Sequence, residues 1–173
     1  MSYAQTARLC LSSWITHLLT AVPLRSRGTF VELLCGSLIS PEGWVTRAIS
    51  AITRGRHWTT YYKLLERGSL RTLRIAQALF ELVASVLPAA ILNLVIDDTL
   101  VPRQSEGAPG SAMRHDHARK TNRPQFLQAQ CWVTLGVSVL GSGGRKYVLP
   151  MVSRLVPVSG NRNKLTIALA LVR

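Results

Sequence analysis

The sequence predicts an α+β fold, with a helical region over residues 1–88 and a sheet-forming region over residues 89–173. Three observations support this division. Apolar residues recur at helical spacing up to Pro88. After Pro88, a short apolar run and two β-branched segments around the Gly141–Gly144 turn have the composition of strands. A final apolar segment returns to helical spacing. We therefore expect three antiparallel strands and one helix to follow the helical region.

Five helices are predicted in the first region. Apolar spacing indicates helices over residues 9–22 and 30–38, the first of which ends at Pro23. Ser40, Pro41 and Glu42 supply a capping hydroxyl, a proline at the first helical position and an acid in the first turn, so they predict a helix through residue 52. Two more are predicted over residues 57–66, ending at Gly68, and from Ser69 to Pro88.

The third and fourth predicted helices are short and are joined by a turn that contains Gly55. This arrangement resembles a helix-turn-helix. Its second helix would present groups suited to phosphates and base edges, namely Arg54, Arg56, His57, Thr59, Thr60 and Lys63. An ordinary helical bundle with a solvated polar face would have the same sequence features, so both interpretations stay open.

The segment over residues 90–99 is the centre of the second region. Its first seven residues are nearly all apolar, which predicts a buried strand, and the strand is expected to end at Asp97 and Asp98. Two adjacent carboxylates repel each other beside an apolar core unless a cation or water compensates them. The pair therefore indicates either a site for a hard divalent ion or a simple Asx turn.

Residues 101–125 are expected to form a long irregular connection, because prolines and glycines interrupt them. The His115-Asp116-His117 sequence could suggest a metal site, but a solvated loop or a phosphate contact is the commoner meaning of so short a pattern. The connection carries basic residues expected to contact DNA, namely Arg103, Arg114, Arg119, Lys120 and Arg123. Strands over residues 128–140 and 146–155 should form a hairpin, with Pro150 at an edge or bulge, and Ser159-Gly160-Asn161 should begin the last helix.

The charge balance favours a polyanionic partner. The chain carries 21 Lys and Arg against 8 Asp and Glu, a formal charge of +13. The excess of positive charge is concentrated after residue 102, where there are 11 basic residues and only two acidic ones, Glu106 and Asp116. Nucleic acid is the expected partner, with an anionic membrane a weaker alternative. The three cysteines are widely spaced, which argues against structural zinc and for reduced thiols in a cytoplasmic protein.

At these residues the chain resembles the DDE transposases of bacterial insertion sequences, whose catalytic domain has the RNase H-like fold. The matching segments are ILNLVIDDTLVPR (91–103), HDHARKTNRP (115–124), QAQCWVTLGV with YVLPMVSRL, and SGNRNKLTIALALV (159–172). GRHWTTYYKLLERG (55–68) resembles the helical region that precedes the domain in such enzymes. The resemblance thus implies an incomplete RNase H-like domain over residues 89–173.

The resemblance implies a role for Asp98, with Asp97 as its neighbour, in binding Mg²⁺. In the family, the first catalytic Asp ends the first strand, and a second Asp and a Glu complete a site for two Mg²⁺ ions. No acidic residue follows Asp116 in this sequence. We therefore expect a truncated transposase that retains only Asp98 as catalytic residue, binds Mg²⁺ poorly and has no nuclease activity by itself.

Two function classes remain after these steps. The first is the truncated enzyme, which would act on DNA at transposon ends. The second is a DNA-binding module or transposition regulator without catalysis. Self-association or pairing with a full-length transposase is expected in either case, because an incomplete sheet leaves an edge and a core face uncovered. No membrane-spanning segment is predicted.

Overall fold

The computed structural model describes residues 2–40, 42, 44–67, 70–87, 92–116, 126–160 and 163–172. The chain divides into two compact units, Met1–Val86 and Leu87–Arg173. The helices of the first unit are α1 (Tyr3–Thr20), α2 (Arg27–Ile39), α3 (Val45–Ser50), α4 (Trp58–Arg67) and α5 (Thr72–Val86). The second unit contains β1 (Asn93–Pro102), β2 (Ser111–His115), β3 (Phe126–Leu140), β4 (Lys146–Leu155) and α6 (Lys164–Val172). The predicted α+β class is confirmed.

Helices α2, α3 and α4 pack against one another in the first unit. The contact between α2 and α3 is closest at Gly36, where an added Cβ would lie 2.2 Å from the Ala48 carbonyl oxygen. Tyr61 and Leu64 of α4 are buried in the same unit. All five predicted helices are present, but α3, over Val45–Ser50, is shorter than expected. Pro41, Gly68, Ser69 and Pro88, which were expected to start or end helices, lie outside the described residues.

The sheet of the second unit is antiparallel and is built around β3. Strand β1 pairs with one side of β3, from Ser138 to Ala129. On the other side, β2 pairs with the first five residues of β3, and β4 pairs with Trp132 to Leu140. The expectation of three strands was therefore wrong, since β2 lies within the segment predicted to be irregular. Because β3 is 15 residues long and β4 only 10, the start of β3 is available to a further strand.

Strand β1 differs from its prediction in length and burial. It does not end at Asp98 but continues to Pro102, because Thr99, Leu100 and Val101 favour strand geometry and β3 supplies partners as far as Ala129. Nor is it buried, since Leu94 and Ile96 are 46% and 42% exposed. Among the described residues, β1 pairs only with β3. Ala90 and Ile91, where the strand was expected to begin, lie outside the described residues.

Helix α6 covers one face of this sheet. Ile167 and Leu171 pack against Cys131 and Val133 of β3, together with Val156, to form its core. The helix begins at Lys164, later than the sequence suggested, because the Asn163 side chain accepts a hydrogen bond from the Thr166 amide at 2.9 Å. Strand β4 has a bulge beside Pro150, as expected, because the register shifts between Leu135 and Gly136.

Candidate metal and nucleic-acid sites

Asp97 and Asp98 lie on opposite faces of the sheet. Asp98 is paired with Val133, a core residue beneath α6, and Asp97 is paired with Thr134. Directly paired residues in an antiparallel sheet point to the same face, and successive residues point to opposite faces. Asp98 therefore faces the α6 side and Asp97 the other side. In this geometry the two carboxylates do not converge on one ion.

Asp97 has a local partner at the strand edge. Its Oδ1 atom accepts a hydrogen bond from the backbone N–H of Asp98 at 2.8 Å. Edge strands expose backbone groups that need partners, and a short acidic side chain can supply one. The neighbouring acids thus have separate surroundings, and only Asp98 belongs to the face that α6 covers.

Asp98 is paired with Lys164 at the start of α6. The Lys164 Nζ atom donates to Asp98 Oδ2 at 2.5 Å, and the buried Cys131 Sγ lies 3.7 Å from the same oxygen. The Asp98 and Lys164 side chains are 40% and 45% exposed, so water and ions can reach the pair. Sequence reasoning missed Lys164 and Cys131, because nothing in the sequence indicates contacts across 66 and 33 residues.

Hydrogen bonding and burial determine the charge states of Lys164 and Cys131. The hydrogen bond to Asp98 raises the pKa of Lys164, so the ammonium form is favoured at neutral pH. Burial raises the pKa of the Cys131 thiol, so its neutral form is favoured. A neutral thiol is a poor ligand for a hard cation such as Mg²⁺, which prefers oxygen atoms.

The described residues fit one ligand of a magnesium site but not a whole site. A two-ion centre needs several carboxylates around two ions about 3.5–4 Å apart. On the α6 face, Asp98 is accompanied by a lysine and a neutral thiol rather than by a second acid. In the part of the chain that the structure describes, there is no group of three or more His, Cys, Asp or Glu that could hold a metal ion.

Arg114 lies on the same sheet face as Asp98. It is paired with Leu127 on β3, four residues from Cys131, and odd-numbered residues of β3 share that face. Its Nε and Nη2 atoms are buried and have no hydrogen-bond partner among the described residues. The next residue, His115, packs its ring edge-on against Phe126, with ring centroids 5.1 Å apart. Asp116 follows the strand and is half-buried, and His117 lies outside the described residues.

Arg103 stabilises the connection between β1 and β2. Its Nε atom donates to Gln130 Oε1 at 2.9 Å, and Trp132 Nε1 donates to the same oxygen at 3.3 Å. Gln130, only 6% exposed, donates in turn to the Pro109 carbonyl at 2.6 Å. The exposed Arg103 thus has a structural role in addition to its predicted contact with DNA. Arg119, Lys120 and Arg123 of the next predicted basic segment lie outside the described residues.

In the first unit, the residues predicted to contact DNA lie in the turn before α4 and along that helix. Arg54, Arg56, His57 and Lys63 are exposed. Thr59 and Thr60 are half-buried instead, and Thr59 Oγ1 lies 2.9 Å from His57 Nδ1 at the helix start. The other four side chains of the set are therefore each exposed to solvent, within residues 54–63.

Glu32 of α2 lies beneath this turn. Its Oε2 accepts a hydrogen bond from the buried Tyr61 hydroxyl, and an added Cβ at Gly55 would lie 2.8 Å from its Oε1. Burial, followed by the hydrogen bond with Glu32, raises the pKa of Tyr61. The turn that contains Gly55 therefore lies close against α2. Sequence reasoning missed Glu32 and Tyr61, because the two residues are 29 positions apart.

A comparison with protein-family models supports the DDE part of the resemblance. A sequence model of the family described as DDE superfamily endonuclease matches residues 19–144. No curated protein and no solved structure matches the chain. None of the described helices is long and apolar enough to cross a membrane.

Proposed function

The chain belongs to the DDE superfamily of endonucleases, and from this membership we propose that it is a transposase-lineage protein that binds DNA at transposon ends. In this proposal Met1–Val86 is the DNA-binding part, and Leu87–Arg173 is the amino-terminal part of an RNase H-like catalytic domain. We also propose that the protein acts in the cytoplasm.

The position of Asp98 is the observation that supports this proposal most directly. It is an accessible carboxylate on a strand that is paired with the β3–β4 hairpin, and it lies on the face covered by α6. We assign it as the first metal-binding carboxylate of the family's catalytic site. Asp97, which interacts with the backbone at the sheet edge, is at most a neighbour of that ligand.

Nuclease activity is not expected from these 173 residues alone. A single carboxylate paired with a lysine does not hold two ions, and the sequence has no acid after Asp116. Supercoiled plasmid incubated with Mg²⁺ or Mn²⁺ should show nicking no faster than buffer. The Asp98→Asn variant serves as the control. Nicking by wild type that this variant lacks would contradict the proposed inactivity.

DNA binding should depend on the exposed residues around α4. We expect an Arg54→Ala, Arg56→Ala, Lys63→Ala triple variant to bind duplex DNA more weakly than wild type. Its affinity should also fall less steeply with salt, by about one unit of log–log slope for each phosphate that the variant no longer neutralises. Fluorescence anisotropy of a labelled duplex between low and moderate salt measures both quantities.

A matched control separates a specific surface from total charge. Arg8, Arg71 and Arg74 are also exposed and in the same unit, and their replacement by alanine removes the same three positive charges. That control should retain most of the affinity. Equal loss in the two triple variants would mean that the duplex binds to the charge of the unit without preference for the α4 surface.

A second candidate function is a DNA-binding regulator without catalysis, which would occupy transposon ends or pair with a complete transposase. The Lys164–Asp98 pair favours it, because the carboxylate expected to bind metal is already occupied by a cation. The test adds this chain to a full-length transposase and measures inhibition. Inhibition by wild type that persists in Asp98→Asn, but is lost in the Arg54→Ala, Arg56→Ala, Lys63→Ala variant, would support the regulator. Loss of inhibition in Asp98→Asn alone would contradict it.

A further inference from the structure

Trp58, the first residue of α4, is a large aromatic side chain that remains half-exposed in the first unit. Its exposed fraction is 50%, whereas the same helix buries Tyr61 and Leu64. Trp58 therefore does not belong to the side of α4 that packs within the unit. Because an indole gains more than most side chains from being covered, one that is left on the surface is well suited to contact a ligand.

Two neighbouring rings pack against Trp58. Tyr62, one turn later, contacts it edge-on, with the ring centroids 5.6 Å apart and the ring planes at 84°. The His57 ring lies 5.8 Å away at an angle of 42°, and its Nδ1 atom is 2.9 Å from the Thr59 hydroxyl oxygen. These contacts restrict the rotamers of the indole, so less conformational entropy is lost when a ligand binds to it.

The exposed charges around this ring are mainly positive. Arg54, Arg56 and Lys63 are exposed and form no ion pair with another residue in the part of the chain that the structure describes. The one acid of α4, Glu66, is paired with Arg67, whose Nε atom lies 3.7 Å from its Oε2. These cations complement a polyanion, whereas an apolar protein segment would cover them without giving them a partner.

We propose that Trp58 is a base-stacking residue, and that the α4 surface therefore binds DNA with unpaired bases more tightly than a fully paired duplex of the same length. The inference rests on the proposed function, because it takes this surface as the one that binds DNA. It adds the kind of DNA that is bound, namely a locally opened duplex. An unpaired base can place its π-face on an indole, whereas a paired base is covered on both faces by its neighbours in the duplex.

The positions of the cations fit this mode of binding. Arg56 precedes the ring in the turn before α4, and Lys63 lies about 7.5 Å further along the helix axis than Trp58. Side chains as long as arginine and lysine can contact the phosphates on either side of a base that is stacked on the ring. Binding then combines phosphate contacts, which weaken with salt, and stacking, which salt affects much less.

The test compares two labelled ligands of equal charge by fluorescence anisotropy, with the whole chain. One is a paired duplex, and the other is the same duplex with a short run of mismatched bases at its centre. Wild type should bind the mismatched duplex about tenfold more tightly. Trp58→Ala should lose this preference at low and at moderate salt, with little change in its affinity for the paired duplex. Equal loss of affinity for the two ligands would overturn the inference.

Two further variants are the controls. Trp58→Phe keeps an aromatic ring and should retain most of the preference. Trp44→Ala removes an indole that is 66% exposed in the same unit but outside α4, and it should leave both affinities near the wild-type values. Circular dichroism reports whether each variant is folded. The inference fails if folded Trp58→Phe behaves like Trp58→Ala, or if Trp44→Ala loses the same preference.

A third ligand separates bases from phosphates. Abasic sites in place of the mismatched bases keep every phosphate but offer nothing to stack, so wild type should bind this duplex about as weakly as Trp58→Ala binds the mismatched one. Tight binding of the abasic duplex by wild type would contradict stacking. So would a Trp58→Ala variant that binds all ligands like wild type but self-associates less in sedimentation velocity, because a second copy would then cover the ring.

Failure of this inference differs from failure of the proposed function. If the Arg54→Ala, Arg56→Ala, Lys63→Ala variant binds paired duplex as tightly as wild type, the α4 surface is not the DNA-binding one and both proposals fail. If that variant binds more weakly while Trp58→Ala keeps the preference for mismatched DNA, the α4 surface stands and only the role of Trp58 is overturned.

Discussion

Two residues that are adjacent in the sequence have different surroundings in the structure. Asp97 and Asp98 are adjacent, yet one satisfies an edge amide and the other forms an ion pair beneath α6. The cause is the two-residue repeat of a strand, which sends consecutive side chains to opposite faces. A carboxylate pair that looks like a chelating site in sequence thus becomes two separate sites.

Tyr61 is a residue whose ionisation should affect stability. Its pKa is raised, mainly by burial, so the folded state binds the phenolic proton more tightly than the unfolded state does. This contribution is fully present below the unfolded pKa of about 10 and is lost as the pH rises through the higher folded value. We expect the free energy of unfolding to fall more steeply above a pH of about 10 in wild type than in Tyr61→Phe, as measured by urea titration.

The same substitution should be costly at neutral pH. Tyr61→Phe leaves Glu32 without its hydroxyl donor and should lower the free energy of unfolding by about 1–2 kcal/mol. Tyr62→Phe removes a hydroxyl from the next residue, whose ring packs edge-on against Trp58, and should change stability by less than about 0.5 kcal/mol. Identical pH profiles for wild type and Tyr61→Phe would contradict the assigned pKa shift.

At the scale of elements, α2 and α3 are packed closely enough to require a glycine. An added Cβ at Gly36 would lie 2.2 Å from the backbone oxygen of Ala48, and a backbone atom cannot move aside cheaply. Gly36→Ala should therefore lower the free energy of unfolding by about 1–3 kcal/mol, in spite of the better helix propensity of alanine. Chemical denaturation followed by circular dichroism measures the loss.

Gly28 provides the control on the same helix. An added Cβ there would meet only the Arg56 side chain, at 3.5 Å, which is an ordinary contact. Gly28→Ala should be neutral or stabilising, by no more than about 1 kcal/mol. If both alanine variants were equally stable, the close contact between α2 and α3 would not contribute as described.

For the whole molecule, we predict concentration-dependent self-association. Leu165 and Leu169 of α6 are 74% and 60% exposed, on the side of the helix away from the core residues Ile167 and Leu171. A helix that is apolar on all sides is normally covered on all sides. Sedimentation velocity over a range of protein concentrations should therefore show a rising mean sedimentation coefficient.

Replacement of exposed leucines tests where the association occurs. Leu165→Gln with Leu169→Gln should shift the protein towards monomer, because it removes apolar surface without lowering helix propensity greatly. Leu24→Gln with Leu38→Gln makes the same chemical change at positions 77% and 61% exposed in the other unit and should have little effect. A monomer at every concentration would contradict this prediction.

The sequence by itself determined the α+β class, most of the helices, the β3–β4 hairpin and the family. These properties depend on local periodicity, turn residues and the order of motifs, all of which can be read from the chain. It did not determine where β1 ends, because strand length depends on the partner that β3 offers as far as Ala129. Nor did it predict β2, which becomes a strand because the start of β3 is left unpaired by β4.

The surroundings of Asp98 were decided only by the tertiary structure. Lys164 reaches the carboxylate from 66 residues away because the α6 core contacts fix the first turn of that helix above β1. Similarly, Glu32 reaches Tyr61 only through the packing of α2 against α4. Contacts of this kind arise from the way whole elements pack, and a pattern within one segment carries no information about them.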